Sequence, residues 1–208
     1  LRELLSDDYT RIRRPLIDMS KASRVIRPGD PAAGKAVILP DIRIGPGAPN
    51  RDTTTCLVAD RWGNVVAATP SGWGSKAGTG GTTGVAHGTR LISLNNWKGH
   101  PNCIEPGKRP SITLTPTLVT RGGKPVAAIS VAGGDLQDQT TLNLLLQYVE
   151  FGAEPAPAVT APRFATYQHV GSFGQTPPKL GSLEVNDALP EAVRAELIHR
   201  GHVLSTKS

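Results

Sequence analysis

Three consecutive threonines, Thr53-Thr54-Thr55, follow Asp52 and open a strand-like run, Cys56-Leu57-Val58-Ala59. A hydroxyl at the tip of an edge strand has a particular chemical use. If the chain is cut just before a threonine, the freed α-amine becomes a general base beside its own hydroxyl nucleophile. Threonine is also a good strand former, so the run by itself reads as ordinary β-structure. A second chemical pattern is the pair Gly133-Gly134, which ends one apolar run and precedes another with helical spacing. Bare backbone N–H groups at such a pair can approach a developing oxyanion. Read alone, the pair is also an ordinary strand-to-helix turn.

The elements that must position these residues follow from the hydrophobic period. Residues 1 to 23 predict helix, with Leu4, Leu5, Tyr9, Ile12, Leu16, Ile17 and Met19 near helical spacing and a break at Pro15. Residues 24 to 52, rich in Pro and Gly, predict an irregular exposed tether whose end suits a cleavage junction. From Thr53 the period becomes that of strands. Residues 54 to 59 and 65 to 69 predict a hairpin through Asp60-Arg61-Trp62-Gly63-Asn64. Residues 70 to 90 predict a long glycine-rich loop, and Leu91 to Leu94 a short strand. Residues 115 to 120 and 125 to 131 predict a second hairpin. The glycine pair then leads into a helix over 137 to 151, with an apolar stripe at Leu142, Leu145, Leu146 and Val149 and a cap at Gly152. A short helix or turn over 158 to 163, a strand over 183 to 185 and a helix over 190 to 200 complete the pattern. Strands followed by helices predict an α+β arrangement, with helices packed on antiparallel sheet.

Composition narrows the function classes. The chain has 208 residues, 38% of them hydrophobic, with 23 glycines and 18 prolines. This is turn-rich without being low-complexity. The apolar runs are too short for a transmembrane helix, and Leu1 to Leu5 lack the apolar stretch of a signal peptide. The first residue is Leu rather than Met, which is expected of a fragment or a processed piece. The net charge of +6 is dispersed apart from Arg11 to Arg14, and no nucleic-acid motif accompanies it. Neither nucleic acid nor membrane is therefore an expected partner. Cys56 and Cys103 do not show metal-ligand spacing. Cys56, within an apolar strand, reads as a small buried hydrophobe. No cofactor or metal is implied.

Several ordered blocks together resemble the γ-glutamyltransferases (γ-glutamyl transpeptidases) of the N-terminal-nucleophile hydrolase superfamily. These blocks are Asp52-Thr53-Thr54-Thr55 with Val58-Ala59-Asp60 and Gly63-Asn64, then Leu94-Asn95-Asn96, then Pro106-Gly107-Lys108-Arg109-Pro110 with Thr115-Pro116-Thr117. Gly133-Gly134, Ala161-Pro162-Arg163-Phe164 and Gly201-His202-Val203 follow. The resemblance implies a four-layer αββα sandwich, of which this chain would form about half. It implies that residues 1–52 are the tail and linker of a large subunit. Residues 53–208 would be the small, catalytic subunit with its extreme C-terminus missing. Thr53 aligns with the nucleophile, Ser71 with a supporting threonine, and Gly133 and Gly134 with the oxyanion hole. Thr113 aligns with a serine that touches the substrate carboxylate. Trp73 stands where an asparagine helps to hold substrate. Arg109, between prolines, is expected either to hold a rigid loop near the site or to form a structural salt bridge.

The resemblance further implies a self-cleaving precursor and a small-molecule or peptide amide substrate. The partner would be the large subunit of the same precursor, and two such heterodimers could associate. A periplasmic or extracellular location is expected. The departures concern substrate recognition. Trp97-Lys98-Gly99-His100 replaces the acidic stretch that binds an α-ammonium, Ile112 replaces the second carboxylate-contacting serine, and Thr55 replaces a histidine. These losses predict an acyl-enzyme machinery with altered amide specificity. The alternative is a catalytically inactive paralogue acting as a binding or structural protein.

Overall fold

The computed structural model describes residues 1–48, 53–72 and 78–208. In chain order the elements are α1 (Asp7–Arg13), β1 (Cys56–Ala59), β2 (Val65–Ala68), β3 (Thr117–Arg121), β4 (Lys124–Ile129), α2 (Gln137–Val149), α3 (Pro155–Thr160), β5 (Phe164–Ala165), β6 (Ser182–Asn186), α4 (Glu191–His199) and β7 (Val203–Lys207). They divide into two compact units. One comprises Leu1–Arg43, Thr166–Val170 and Pro177–Ser208; the other comprises Ile44–Ala165 and Gly171–Thr176. The mixture of helices and mainly antiparallel strands agrees with the α+β expectation.

In the first unit, α1 begins where the Ser6 hydroxyl accepts the Tyr9 N–H at 3.2 Å, with Asp7 and Asp8 in its first turn. This satisfies an orphan donor and favours the positive end of the helix. The helix is shorter than the 1–23 expectation. A 3₁₀ turn over Arg14–Leu16 ends it. Beyond that turn, Asp18 accepts from the Ser20 N–H at 2.9 Å and the Ser20 hydroxyl at 2.7 Å. Such local side-chain bonds compete with helix continuation. Strands β6 and β7 are parallel, from Ser182 opposite Val203 to Asn186 opposite Lys207, and α4 connects them. Leu183 and Val185 face inward at alternate positions and are buried.

The second unit carries the two expected hairpins. β1 and β2 pair antiparallel from Cys56 opposite Ala68 to Ala59 opposite Val65. Asp60 organises their turn by accepting from the Trp62 and Asn64 N–H groups, both at 2.9 Å, and from the Asn64 amide at 2.7 Å. β3 and β4 are joined through Gly122 and Gly123, whose φ angles of 58° and 77° favour glycine. This is the two-residue turn that matches strand twist. The expected short strand over 91 to 94 is instead a 3₁₀ turn, Arg90–Ser93. It is fastened from outside its own sequence: the Gly174 N–H donates to the Ile92 carbonyl at 3.2 Å and the Gln175 amide to the Ser93 carbonyl at 3.4 Å.

Beside a small apolar core at Tyr9, Ala158, Phe173, Leu183 and Val185, several apolar positions are exposed. β1 is exposed at all four positions, including Cys56, which is therefore not the buried hydrophobe expected from its strand. On α2 the buried residues are Gln137 and Thr141, whereas Leu142, Leu146 and Val149 of the apolar stripe are exposed. The amphipathic pattern is present as expected, but the described residues supply no partner for its apolar side. No described helix is long and apolar enough to cross a membrane.

Candidate active site

The β1–β2 hairpin sets the first contact of the site. Its register continues past the regular strands, so that Thr53 forms a bridge opposite Ser71. The Thr54 N–H donates to the Pro70 carbonyl at 3.1 Å. In this arrangement the Thr53 and Ser71 hydroxyl oxygens lie 3.0 Å apart, within hydrogen-bond distance. Both residues are half-buried.

A part-buried link joins this hairpin to the next. The Thr69 and Ser130 hydroxyls lie 2.7 Å apart, and the Ser130 hydroxyl also donates to the Ala68 carbonyl at 3.1 Å. This fixes the end of β2 beside the chain leaving β4, three residues before the glycine pair. Gly133 has φ 130° and ψ 23°, and Gly134 has φ 58°. A Cβ at Gly133 would meet nothing closer than 3.6 Å, so the backbone angle rather than crowding requires glycine there. Among the described residues neither glycine N–H donates a hydrogen bond. The following Asp135 is held by the Ser172 N–H at 3.0 Å and by the Ser172 hydroxyl.

Thr113 joins the same neighbourhood through a residue the sequence pattern did not single out. Gln137 is fully buried at the start of α2. Its neighbours set its amide orientation: the nitrogen faces and donates to the Thr113 carbonyl at 3.1 Å and the Val131 carbonyl at 3.0 Å. Thr113 is thereby tied to the segment that ends in Gly133. Its own buried hydroxyl has no partner among the described residues. A glutamine at the first turn of an otherwise amphipathic helix, on the face opposite the leucines, was the available signal for Gln137.

Other expected residues fall elsewhere. Arg109 is exposed and forms no ion pair among the described residues, so the structural salt bridge expected as one alternative is not found there. Trp73 and Asp52 lie outside the described residues. The stretch that replaces the family's acids is a polar knot. The His100 Nδ1 accepts from the Asn102 N–H at 3.1 Å and faces the Asn95 amide nitrogen at 2.9 Å, which places the ring proton on Nε2. The Trp97 ring meets the His100 ring edge-on with centroids 5.5 Å apart. Among the described residues, no three His, Cys, Asp or Glu side chains are grouped to hold a metal ion.

Comparison with known proteins identifies the class. The gamma-glutamyltranspeptidase family matches residues 1–208, and the chain belongs to that family. It is 30% identical over 216 residues to the glutathione hydrolase proenzyme of Bacillus subtilis, covering 99% of this chain and 34% of that protein. The chain thus spans about a third of the length of that curated relative. Among solved structures it is similar to LmbA2991HD, with 38% identity and a TM-score of 0.82, covering 100% of this chain and 37% of the other. It is also similar to a cephalosporin acylase from Bacillus halodurans, with 25% identity and a TM-score of 0.73, covering 99% of this chain and 32% of the other.

Proposed function

We propose that the protein is a γ-glutamyltransferase-like amidohydrolase or acyltransferase that cleaves itself before Thr53 and then uses Thr53 as its nucleophile. The observation that carries this reading is the 3.0 Å approach of the Thr53 and Ser71 hydroxyls at the open end of the hairpin. The Gly133-Gly134 N–H groups, unused among the described residues, support it. In the first reaction the Thr53 Oγ attacks the Asp52 carbonyl carbon. The C–N bond breaks, the nitrogen becomes the Thr53 α-amine, and water hydrolyses the resulting ester. In each later turnover that amine takes the Thr53 hydroxyl proton as Oγ attacks a substrate amide. Ser71 orients the hydroxyl, and the two glycine N–H groups stabilise the oxyanion. The protonated Thr53 amine returns its proton to the leaving amine as the acyl ester forms. Water then releases an acid, or an amine acceptor receives the acyl group.

On this reading residues 1–52 are the tail of the large subunit and its linker, and 53–208 belong to the small subunit. The full assembly is the four-layer αββα sandwich, with the large subunit covering the exposed apolar faces of β1 and α2. The same reading takes two such heterodimers to associate and the location to be periplasmic or extracellular, as the resemblance implies. Thr113 is assigned to substrate carboxylate contact, and Trp73 and Arg109 to the edges of the substrate site. The Trp97–His100 knot lacks a carboxylate. A buried α-ammonium there would be left unpaired, which disfavours γ-glutamyl groups.

The test is intact mass with N-terminal sequencing of the full-length protein beside a Thr53→Ala variant. Two pieces, the second starting at Thr53 and absent from the variant, are expected. A single uncut chain in both would favour the non-catalytic paralogue instead.

A further inference from the structure

The loop Gly171–Thr176 is closed on itself. The Gly171 N–H donates to the Thr176 carbonyl at 2.8 Å, and the Thr176 hydroxyl donates to the Phe173 carbonyl at 3.1 Å. Phe173 and Gln175 are buried. Among the described residues that carry a Cβ, Gln175 alone has a positive φ, 52°. Such a residue stays in the left-handed region only where its surroundings hold it there. The loop accepts three N–H groups from the segment that precedes Thr53. Gly45 donates to the Gln175 carbonyl at 2.9 Å, Gly47 to the Gly174 carbonyl at 2.8 Å and Ala48 to the Phe173 carbonyl at 3.0 Å. The two backbones are in direct contact. A Cβ on Gly45 would lie 2.5 Å from the Gly174 carbonyl oxygen, and a Cβ on Gly174 would lie 2.6 Å from the Gly47 carbonyl carbon. Only residues without a Cβ approach this closely. The same loop fixes Asp135, whose carboxylate accepts the Ser172 N–H at 3.0 Å and the Ser172 hydroxyl. Asp135 directly follows Gly134.

A Gly- and Pro-rich tether loses much conformational entropy when it is ordered, and it buries few side chains in return. Here it is nevertheless gripped, backbone to backbone, by a loop that carries a strained residue at the point of contact. We propose that loop Gly171–Thr176 is a maturation clamp. It positions the linker for self-cleavage by tying residues 45–48, and through Asp135 the turn at Gly133-Gly134, to one closed loop. Thr53 lies five positions beyond Ala48, so a fixed Ala48 keeps Thr53 within about 18 Å of itself. Holding reacting groups in one frame is a large part of the rate of any such step. Ser172 and Gly174 are positioning residues on this assignment, acting through Asp135 and through the linker. The two sides of the clamp have different lifetimes. After a cut before Thr53, residues 45–48 and the loop belong to different pieces, whereas Asp135 and Ser172 remain in one. The linker contact therefore serves self-cleavage alone, and the Asp135–Ser172 contact outlasts it. The clamp presupposes the self-cleavage reading above and adds its positioning device.

The test follows self-cleavage of the full-length protein by intact mass, with Thr53→Ala as the uncut control. Gly45→Ala and Gly174→Ala each place a Cβ in the contact and should lengthen the half-time on the order of 10- to 100-fold, the range for a small misplacement of reacting groups. Asp135→Ala removes the acceptor of both Ser172 bonds and should lengthen it on the order of 10-fold or more. Asp135→Asn keeps an acceptor oxygen and should fall between. Hydrogen exchange in the Thr53→Ala background reads the contact itself. The Gly47 and Ala48 amides should be protected there, should lose protection with Gly45→Ala or Gly174→Ala, and should keep it with Asp135→Asn. Thermal midpoints in the same background report on folding separately. Unprotected Gly47 and Ala48 amides in Thr53→Ala would overturn the clamp. So would glycine variants that cleave at the wild-type rate, whether or not the amides are exposed, or a wild-type rate in Asp135→Ala. In each of these cases a wild-type protein that cuts before Thr53 leaves the self-cleavage reading standing. A wild-type protein that stays uncut sinks both.

Discussion

The sharpest probe of the site is removal of one oxygen, Ser71→Ala. The Thr53 and Ser71 hydroxyls are 3.0 Å apart and both residues are half-buried. A neutral hydrogen bond of this kind is worth about 0.5–1.5 kcal/mol net, because water competes for both partners in its absence. If that bond orients the nucleophile in the transition state, its loss slows the reaction by roughly 2- to 13-fold. The effect should appear twice: in the half-time of self-cleavage before Thr53, followed by mass spectrometry, and in the rate of acyl-enzyme formation. Ser71→Thr retains the hydroxyl at the same strand position and should restore both rates. Two results would refute the reasoning. A variant within experimental error of wild type would mean that the contact orients nothing. Inactivity as complete as that of Thr53→Ala would mean that Ser71 does far more than position a neighbour.

Two further outcomes concern the frame around the site. Gln137→Leu removes the donor shared by the Thr113 and Val131 carbonyls in a fully buried position, and should destabilise the folded protein by about 1–3 kcal/mol for each carbonyl left unpaired; denaturant titration of the full-length protein measures it, and a neutral result would show that Gln137 is not the bridge described. Asp60 gives a pH dependence. Hydrogen bonds from Asn64 lower its pKa below the ordinary 3.8. A lowered folded pKa means that its contribution is fully present above 3.8 and is lost as pH falls through the lower folded value. Asp60→Ala should therefore lower the thermal midpoint at pH 7 and approach wild type in strong acid; a constant difference at every pH would remove the carboxylate from the explanation.

The hairpins were legible in the sequence because local chemistry determines them. Asp60 and Asn64 make the first turn with their own side chains, and the Gly122-Gly123 pair readily takes the left-handed angles of the second. The Thr53–Ser71 pairing was expected only from the family resemblance, although a hairpin register set at 60–64 carries both residues to the same rung. Helix α1 was overextended because Asp18 and Ser20 bond locally, a competition that apolar spacing does not reveal. The run over 91–94 was misread for a different reason. Its shape is set by Gly174 and Gln175, more than 80 residues away in the chain. Gln137 was missed on the same grounds, because the carbonyls that it bridges, Thr113 and Val131, are set by tertiary packing.

The burial pattern carries a related argument. A stripe at Leu142, Leu145, Leu146 and Val149 encodes a buried helix face, yet most of it is exposed while Gln137 and Thr141 lie inside. Exposed apolar area of this kind has a cost that sequences do not ordinarily leave uncompensated. The inward polar residues are not random replacements for a core. Gln137 holds two backbone segments that carry Thr113 and Gly133, and the Thr69–Ser130 pair holds the segments that carry Ser71 and Gly133. Apolar contacts are non-directional, whereas hydrogen bonds fix angle as well as distance. Polar pairs therefore suit the task of holding the short segments that carry Thr113, Ser71 and Gly133 in fixed register with their neighbours.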